Sequence, residues 1–452
     1  MKPAPRLPVV CVCDPSSSQI RQQGRSRHTM PAFLLVACLT FVLLHDRIVR
    51  GPEQHPGTMR AVRSLPCMCK LPTGCGEGDA ALLRVLSAAG VDREPKRVSE
   101  LTAGFCNSVF LVELPFDAQI GGETTVVVKL FSPLAKLRLR PSERGRGDQD
   151  ASDANLGPRL LFKCMDGLIT EYMDGMRDLT EAELHSPGAG PLVRAIASRL
   201  AALHSLPLPE PEGCSSDNGD GGVEVALWVF MERMLTRIER MPHGLPPTIS
   251  AEEIRGEVRR MRRSTDALAL PIVHGHGDLK PSNVMGSADS TRVQFIDFEL
   301  AGAHYRGYDL HKIFRTGLPA TPASRANVEL FLTVYRDATG GLVMRTEDLK
   351  GGASAGLATP SLPLPTLAEL RAEAAASEPL TWLEAAVFFW FAMAEFPSQS
   401  AEWAPLALDR WSKYRATAHL VEKGGAAAVQ LKEARGRAVE AEEEVVLAAV
   451  EE

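Results

Sequence analysis

Asp278, Asn283 and Asp297 are the residue types that phosphoryl transfer needs, and they lie close together in "HGHGDLKPSNVMGSADSTRVQFIDFELAGAHYRGYDLHKIF" (274–314). Asp278 and Asn283 are five apart, and Asp297 follows 14 residues later, directly behind the short apolar run "VQFI" (293–296). Transfer from a nucleotide requires a carboxylate that positions the attacking hydroxyl and accepts its proton, and oxygen ligands that hold Mg²⁺ on the phosphates. Mg²⁺ is a hard cation that takes carboxylate and amide oxygens well. Asp278 fits the base, with Asn283 and Asp297 as metal ligands brought together by a hairpin-like return of the chain. Taken singly, Asp278 could cap a turn and Asp297 could simply end a strand. The combination of Asp-x4-Asn, an apolar strand and Asp-Phe points to chemistry.

The elements that must position these residues are those of a globular chain. Its 452 residues suffice for two or three domains or one bilobal enzyme, and 45% hydrophobic with 23% charged residues can bury a large core. A net charge of −6 gives no sign of a polyanion-binding surface, so no nucleic-acid partner is expected. The nine cysteines are irregularly spaced, and Cys67, Cys69 and Cys75 lack a matching pair at zinc-site spacing. They read as the reduced thiols of a cytoplasmic protein.

Residues 1–64 read as a leader outside the fold. Its apolar run "PAFLLVACLTFVLL" (31–44) is shorter than the roughly 20 residues a spanning helix needs. Arg21, Arg25, Arg27 and His28 precede that run, which leaves a signal-peptide core, a short anchor, a packed helix or a non-native leader open; membrane contact is expected only there. Helical spacing marks 79–91, 191–206, 252–268 and 380–396, the last apolar on nearly every face and therefore buried. The β-branched runs 108–114 and 124–131 predict a hairpin, and 156–175 predicts two further strands around Asp166-Gly167. Strands first and helices later predict an α+β architecture with a smaller strand-rich lobe over 65–175, a larger mostly helical lobe over 176–423, and a cleft between. Residues 211–222 and 351–365 read as a surface loop and a low-complexity insertion, and 424–452 as an acidic tail.

The segment "HGDLKPSNVM" (276–285) is similar to a eukaryotic protein-kinase catalytic loop, but three features withdraw that reading. Asp297-Phe298 continues with Glu299 rather than Gly, no Ala-Pro-Glu occurs, and no Gly-x-Gly-x-x-Gly precedes "VVVKLF". What the chain resembles, in order along most of 96–420, is the choline/ethanolamine kinase family, within the protein-kinase-like fold shared with aminoglycoside phosphotransferases. The resemblance rests most on "IDFELAGAHYRGYDLHKIF" (296–314), and further on "LTAGFCNSVFLVEL" (101–114), "VVVKLF" (126–131), "GLITEYMDG" (167–175) and "IASRLAALHSL" (196–206).

That resemblance implies a bilobal fold with a small antiparallel N-lobe. It also implies ATP and Mg²⁺ as cofactors, and phosphorylation of ethanolamine or choline as the first step of CDP-ethanolamine or CDP-choline phospholipid synthesis. Thr102, Asn107 and Ser108 would lie near the phosphates, with Lys129 as the contacting cation and Glu143 as its carboxylate partner. Glu171 to Met173 would flank the adenine. Glu299 and Asp309, with rings including Trp382, Trp390 and Tyr414, would receive the cationic amine. Three departures thin the aromatic box: Arg315-Thr316 stand where the family has Glu-Trp, Met393 where choline-preferring members have a second tryptophan, and Leu406 and Leu408 in an often aromatic region. Ethanolamine is favoured on that ground. Another small-molecule phosphotransferase or a weakly active scaffold relative are the rival readings, and homodimerisation is left open.

Overall fold

The chain divides into two units, Met1–Arg63 and Ser64–Glu452. The computed structural model describes residues 77–101, 107–208, 223–241, 245–246, 248–317, 320–350 and 364–421, all in the second unit, with side chains at 77–79 and 341–350 not described. The leader with its apolar run, Thr102, the 211–222 loop, most of the 351–365 insertion and the tail lie outside the described residues. Among the described residues, no helix is long and apolar enough to cross a membrane.

The smaller lobe starts with helix α1 (Glu77–Ala88) and continues with β1 (Arg97–Leu101), β2 (Asn107–Glu113) and β3 (Thr125–Phe131). Two short helices, α2 (Pro133–Arg138) and α3 (Arg146–Asp153), precede β4 (Leu160–Lys163) and β5 (Gly167–Glu171). All pairings are antiparallel, in the order β1-β2-β3-β5-β4. The alternation of β3 sorts its side chains by face. Val126, Val128 and Leu130 pack with Leu82, Val85 and Leu86 of α1, while Lys129 belongs to the opposite face.

A linker over 172–175 leads to β6 (Met176–Asp178) and the larger lobe, which contains α4 (Gly190–His204), α5 (Ala226–Arg240) and α6 (Ala251–Asp266). Next come β7 (Ile272–Gly275), β8 (Val284–Ser287), β9 (Val293–Phe295) and β10 (Gly302–Tyr305). Helices α7 (Arg306–Lys312), α8 (Pro322–Lys350), α9 (Leu367–Glu395) and α10 (Ser400–Thr417) complete the lobe. β7 pairs with β10, and β6, β8 and β9 form a second small sheet. α9 is buried on nearly all sides, as its all-round apolar sequence requires.

The motif "YRGYD" turns out to be architecture. Tyr305 Oη donates to Asp266 at 3.1 Å and accepts from Trp228 Nε1 at 2.9 Å. Arg306 makes a two-pronged bond to Glu373 of α9, at 2.7 and 2.6 Å, with both side chains under 10% exposed. Gly307 permits that approach: a Cβ there would fall 2.2 Å from the Glu373 carbonyl oxygen. Removing one member of a buried pair strands the other charge. Glu373→Ala is therefore expected to cost about 3–5 kcal/mol, read as a lowered denaturation midpoint in urea.

Candidate active site

The segment between β7 and β8 is shaped by a buried carboxylate. Asp309 of α7 accepts the backbone N–H of His276 at 2.6 Å and of Gly277 at 3.1 Å, and bonds His204 Nε2 at 3.2 Å. Burial alone would raise this carboxyl, but the hydrogen bond and charge of His204 hold it down to about 2. Gly277 has φ +78°, and a Cβ there would lie 2.4 Å from the Leu300 carbonyl oxygen. The loop can thus press against the turn after Asp297 only with glycine at this point.

Asn283 Nδ2 donates to the Asp278 carbonyl at 2.9 Å and to its carboxylate at 3.2 Å. Its own backbone carbonyl accepts the Ile296 N–H at 3.0 Å, continuing the β8–β9 ladder in which Val284 faces Phe295. That register sets Asn283 beside the Ile296-Asp297 end of the hairpin. Asp297 sits in the left-handed region at φ 66°, ψ 55°, and its Oδ1 receives Lys129 Nζ at 2.5 Å.

Two ammonium groups hold Asp278. Lys312 Nζ is 2.9 Å from Oδ1 and Lys280 Nζ 3.1 Å from Oδ2. Burial would raise the Asp278 carboxyl, but Lys280 and Lys312 outweigh it and keep it far below the usual carboxylate range. Lys129 behaves in the opposite sense: burial would lower it, but Asp297, Asp148 and Glu299 hold it protonated above the ordinary lysine value. Lys312 is a residue that sequence reasoning missed. It lies 34 positions after Asp278, and only α7 docking on α9 brings it near.

Several expected placements are corrected. Glu143 does not pair with Lys129; it bonds Arg233 at 2.5 and 2.7 Å and accepts the Arg140 N–H at 2.8 Å. The acid that acts on Lys129 from this region is Asp148 of α3, whose carboxyl burial pushes up and Lys129 pulls down. Asp309 is consumed by the loop backbone and His204, which leaves it no role on an amine. Glu299 belongs to the small-lobe side of the site: it accepts Asn107 Nδ2 at 2.6 Å, pairs with Arg138, and lies 4.0 Å from Lys129. Trp390 is fully buried, with its ring 4.9 Å from Trp411. Tyr414 is also buried and bonds Glu257 and Arg260, so both rings are core rather than recess.

The remaining expected residues are placed as follows. Ser108 is half-buried on β2 opposite Leu130, and Asn107 Oδ1 accepts the Ser132 N–H at 3.2 Å. Glu171 and Met173 lie where the two lobes join, with the Glu171 carboxylate on Arg159. Trp382 is covered by the chain's own cations, Arg315, Arg410 and Lys413, at 4.6, 5.6 and 4.8 Å from the ring centroid.

The described residues hold no cluster of three or more His, Cys, Asp or Glu side chains arranged for a metal. Mg²⁺ does not ask for one, since it binds through one or two carboxylates and keeps waters and phosphate oxygens as its other ligands. Asn283 fits such a donor set. Its amide nitrogen is committed to Asp278 as a donor, so the oxygen is the atom it can offer a cation.

A five-stranded antiparallel lobe joined by a short linker to a helical lobe carrying Asp278, Asn283 and Asp297 defines a protein-kinase-like fold. The family model described as choline/ethanolamine kinase matches residues 98–330, and the chain belongs to that family. Among curated relatives, a probable ethanolamine kinase of Arabidopsis thaliana is 26% identical over 223 residues, covering 48% of this chain and 55% of the relative. A choline/ethanolamine kinase of Rattus norvegicus is 28% identical over 174 residues, 36% of this chain and 39% of the relative. The chain thus spans about half or less of the length of these relatives. Among solved structures, an ethanolamine kinase of Plasmodium vivax aligns with a TM-score of 0.54 at 15% identity, covering 75% of this chain and 89% of that one. A choline kinase of Cryptosporidium parvum aligns with a TM-score of 0.50 at 15% identity over 73% and 91%. At such identities the structural likeness is one of fold.

Proposed function

We propose that this protein transfers the γ-phosphoryl group of ATP to the hydroxyl of a small amino alcohol, giving phosphoethanolamine or phosphocholine. The observation that carries the reading is the Asp278–Asn283 bond at the base of the hairpin that presents Asp297. In this reading Asp278 orients the acceptor hydroxyl and takes its proton as the new O–P bond forms. Mg²⁺ held by Asn283 and Asp297 would neutralise charge on the phosphates. Lys129, released from Asp297, reaches the phosphates from β3, and Asn107 and Ser108 border them at the start of β2. Glu171 to Met173 border the adenine at the joint between the lobes.

Ethanolamine is the favoured acceptor. A trimethylammonium group has no hydrogen-bond donors and needs a box of aromatic faces, yet Trp390 and Tyr414 are spent in the core and Trp382 lies under three cations. A primary ammonium can instead be held by hydrogen bonds. Purified full-length protein assayed side by side under Mg·ATP is expected to show a higher kcat/KM for ethanolamine than for choline. Equal or greater use of choline would overturn the preference, and transfer to neither would overturn the proposed function.

A further inference from the structure

Lys312 is the buried charged group nearest to Asp278, and no step of the proposed reaction uses it. Its side chain is 2% exposed. The ammonium meets Asp278 Oδ1 at 2.9 Å, the Gly277 carbonyl at 3.1 Å, Tyr308 Oη at 3.4 Å and Glu384 Oε2 at 3.5 Å. It also lies 5.1 Å from the centroid of the Tyr308 ring. Two carboxylates, a carbonyl, a phenol and an aromatic face are the groups that hold a primary ammonium. The protein has built an ammonium niche beside its reacting carboxylate and filled it with its own lysine.

The construction of α7 explains how the lysine is held there. Arg306 and Gly307 dock the helix on α9, and Asp309 ties it to the catalytic-loop backbone. Tyr308 and Lys312 lie one helical turn apart on the same face, which brings the ring against the ammonium. Lys280, on the other oxygen of Asp278, is 43% exposed and free to turn toward solvent, so it cannot supply the same constraint.

We infer that Lys312 is a positioning residue, a resident ammonium that fixes the Asp278 carboxylate for the acceptor hydroxyl and keeps the acceptor's own amine out of the Asp278–Glu384 niche. The inference rests on the proposed phosphotransfer for its kinetic consequence, though not for its binding consequence. With the clamp removed, Asp278 keeps Asn283 and Lys280 on Oδ2 but loses the buried partner of Oδ1, so the carboxylate can turn about its held oxygen. Misplacement of about 1 Å can cost about 100-fold in rate.

The test is Lys312→Ala in the full-length protein with methylammonium as the probe. For the variant, kcat is expected to fall about 100-fold with KM for ATP unchanged. Methylammonium, which carries three N–H donors, is expected to restore part of the rate and to raise the variant's melting temperature. It should do neither to wild type, and tetramethylammonium, which lacks donors, should do neither to the variant. A merely structural lysine would give a loss that tracks melting temperature and is not rescued. Wild-type kcat in the variant, or no methylammonium effect on its rate and melting, overturns the inference. Because the melting readout needs no acceptor, a wild type inactive on amino alcohols would sink the proposed function while leaving this test intact. Should Lys312→Ala not fold, Lys312→Arg decides, since its planar fork keeps the charge but cannot reproduce the four contacts. A fall in kcat at unchanged KM for ATP is expected, and wild-type kcat would overturn the inference.

Discussion

Asp278→Asn is expected to lower kcat for phosphoryl transfer by about 10²–10⁴-fold, the range associated with loss of a general base, while KM for ATP stays close to wild type. The substitution preserves shape, so Asn283 keeps an acceptor at position 278 and the loop backbone remains anchored by Asp309. What disappears is the negative charge between Lys280 and Lys312. Lys280 can turn to water, and Lys312 retains Glu384 at 3.5 Å. The fold should therefore survive with a small change in melting temperature, so that lost turnover reports chemistry and not unfolding. Steady-state kinetics with a thermal melt on the same preparation check both halves. Turnover at the wild-type rate would remove Asp278 from the proposed role.

The residues proposed to carry the reaction are legible in the sequence because their geometry is local. Asp278, Asn283 and Asp297 are joined by one loop and one short hairpin, and the β8–β9 register follows from the apolar strand between them. Residues positioned from a distance were not legible. On propensity alone a helix around Glu143 is disfavoured, because Gly145 and Gly147 would each cost about 1 kcal/mol in a helix interior. Helix α3 nevertheless starts at Arg146, with Gly145 as its N-cap and Gly147 in its first turn, for a tertiary reason. Gly145 takes the left-handed N-cap conformation at φ 67°, and Gly147 leaves room for α3 to meet the turn after Asp297, where a Cβ would fall 2.3 Å from the Phe298 carbonyl oxygen. That packing brings Asp148, not Glu143, toward Lys129. Asp309, Trp390 and Tyr414 were of a type suited to binding an amine, but composition cannot say which way a side chain faces. On α9, apolar all round, the sequence held no clue that Trp390 faces Trp411.

Asp297→Ala is expected to abolish measurable transfer, with a loss beyond the roughly 10²–10³-fold that follows deletion of a single electrostatic contact to a developing charge. Asp297 combines two assignments that the replacement removes together: a carboxylate for Mg²⁺ and the partner of Lys129 at 2.5 Å. Lys129 would still have Glu299 at 4.0 Å and the charge of Asp148, so its buried ammonium is not stranded. Backbone conformation supplies the control. Position 297 is left-handed, where a non-glycine residue such as alanine costs about 1–2 kcal/mol but Asn is accommodated. Asp297→Asn keeps the backbone and one oxygen ligand while losing the charge, so its expected phenotype is a residual rate that needs more free Mg²⁺ for half-saturation. Initial rates against free Mg²⁺ at fixed ATP separate the two variants. If strain alone mattered, Asn would behave as wild type; if the charge on the metal ligand matters, Asn should fall between wild type and Ala. An unchanged Mg²⁺ dependence in both variants would place the metal elsewhere.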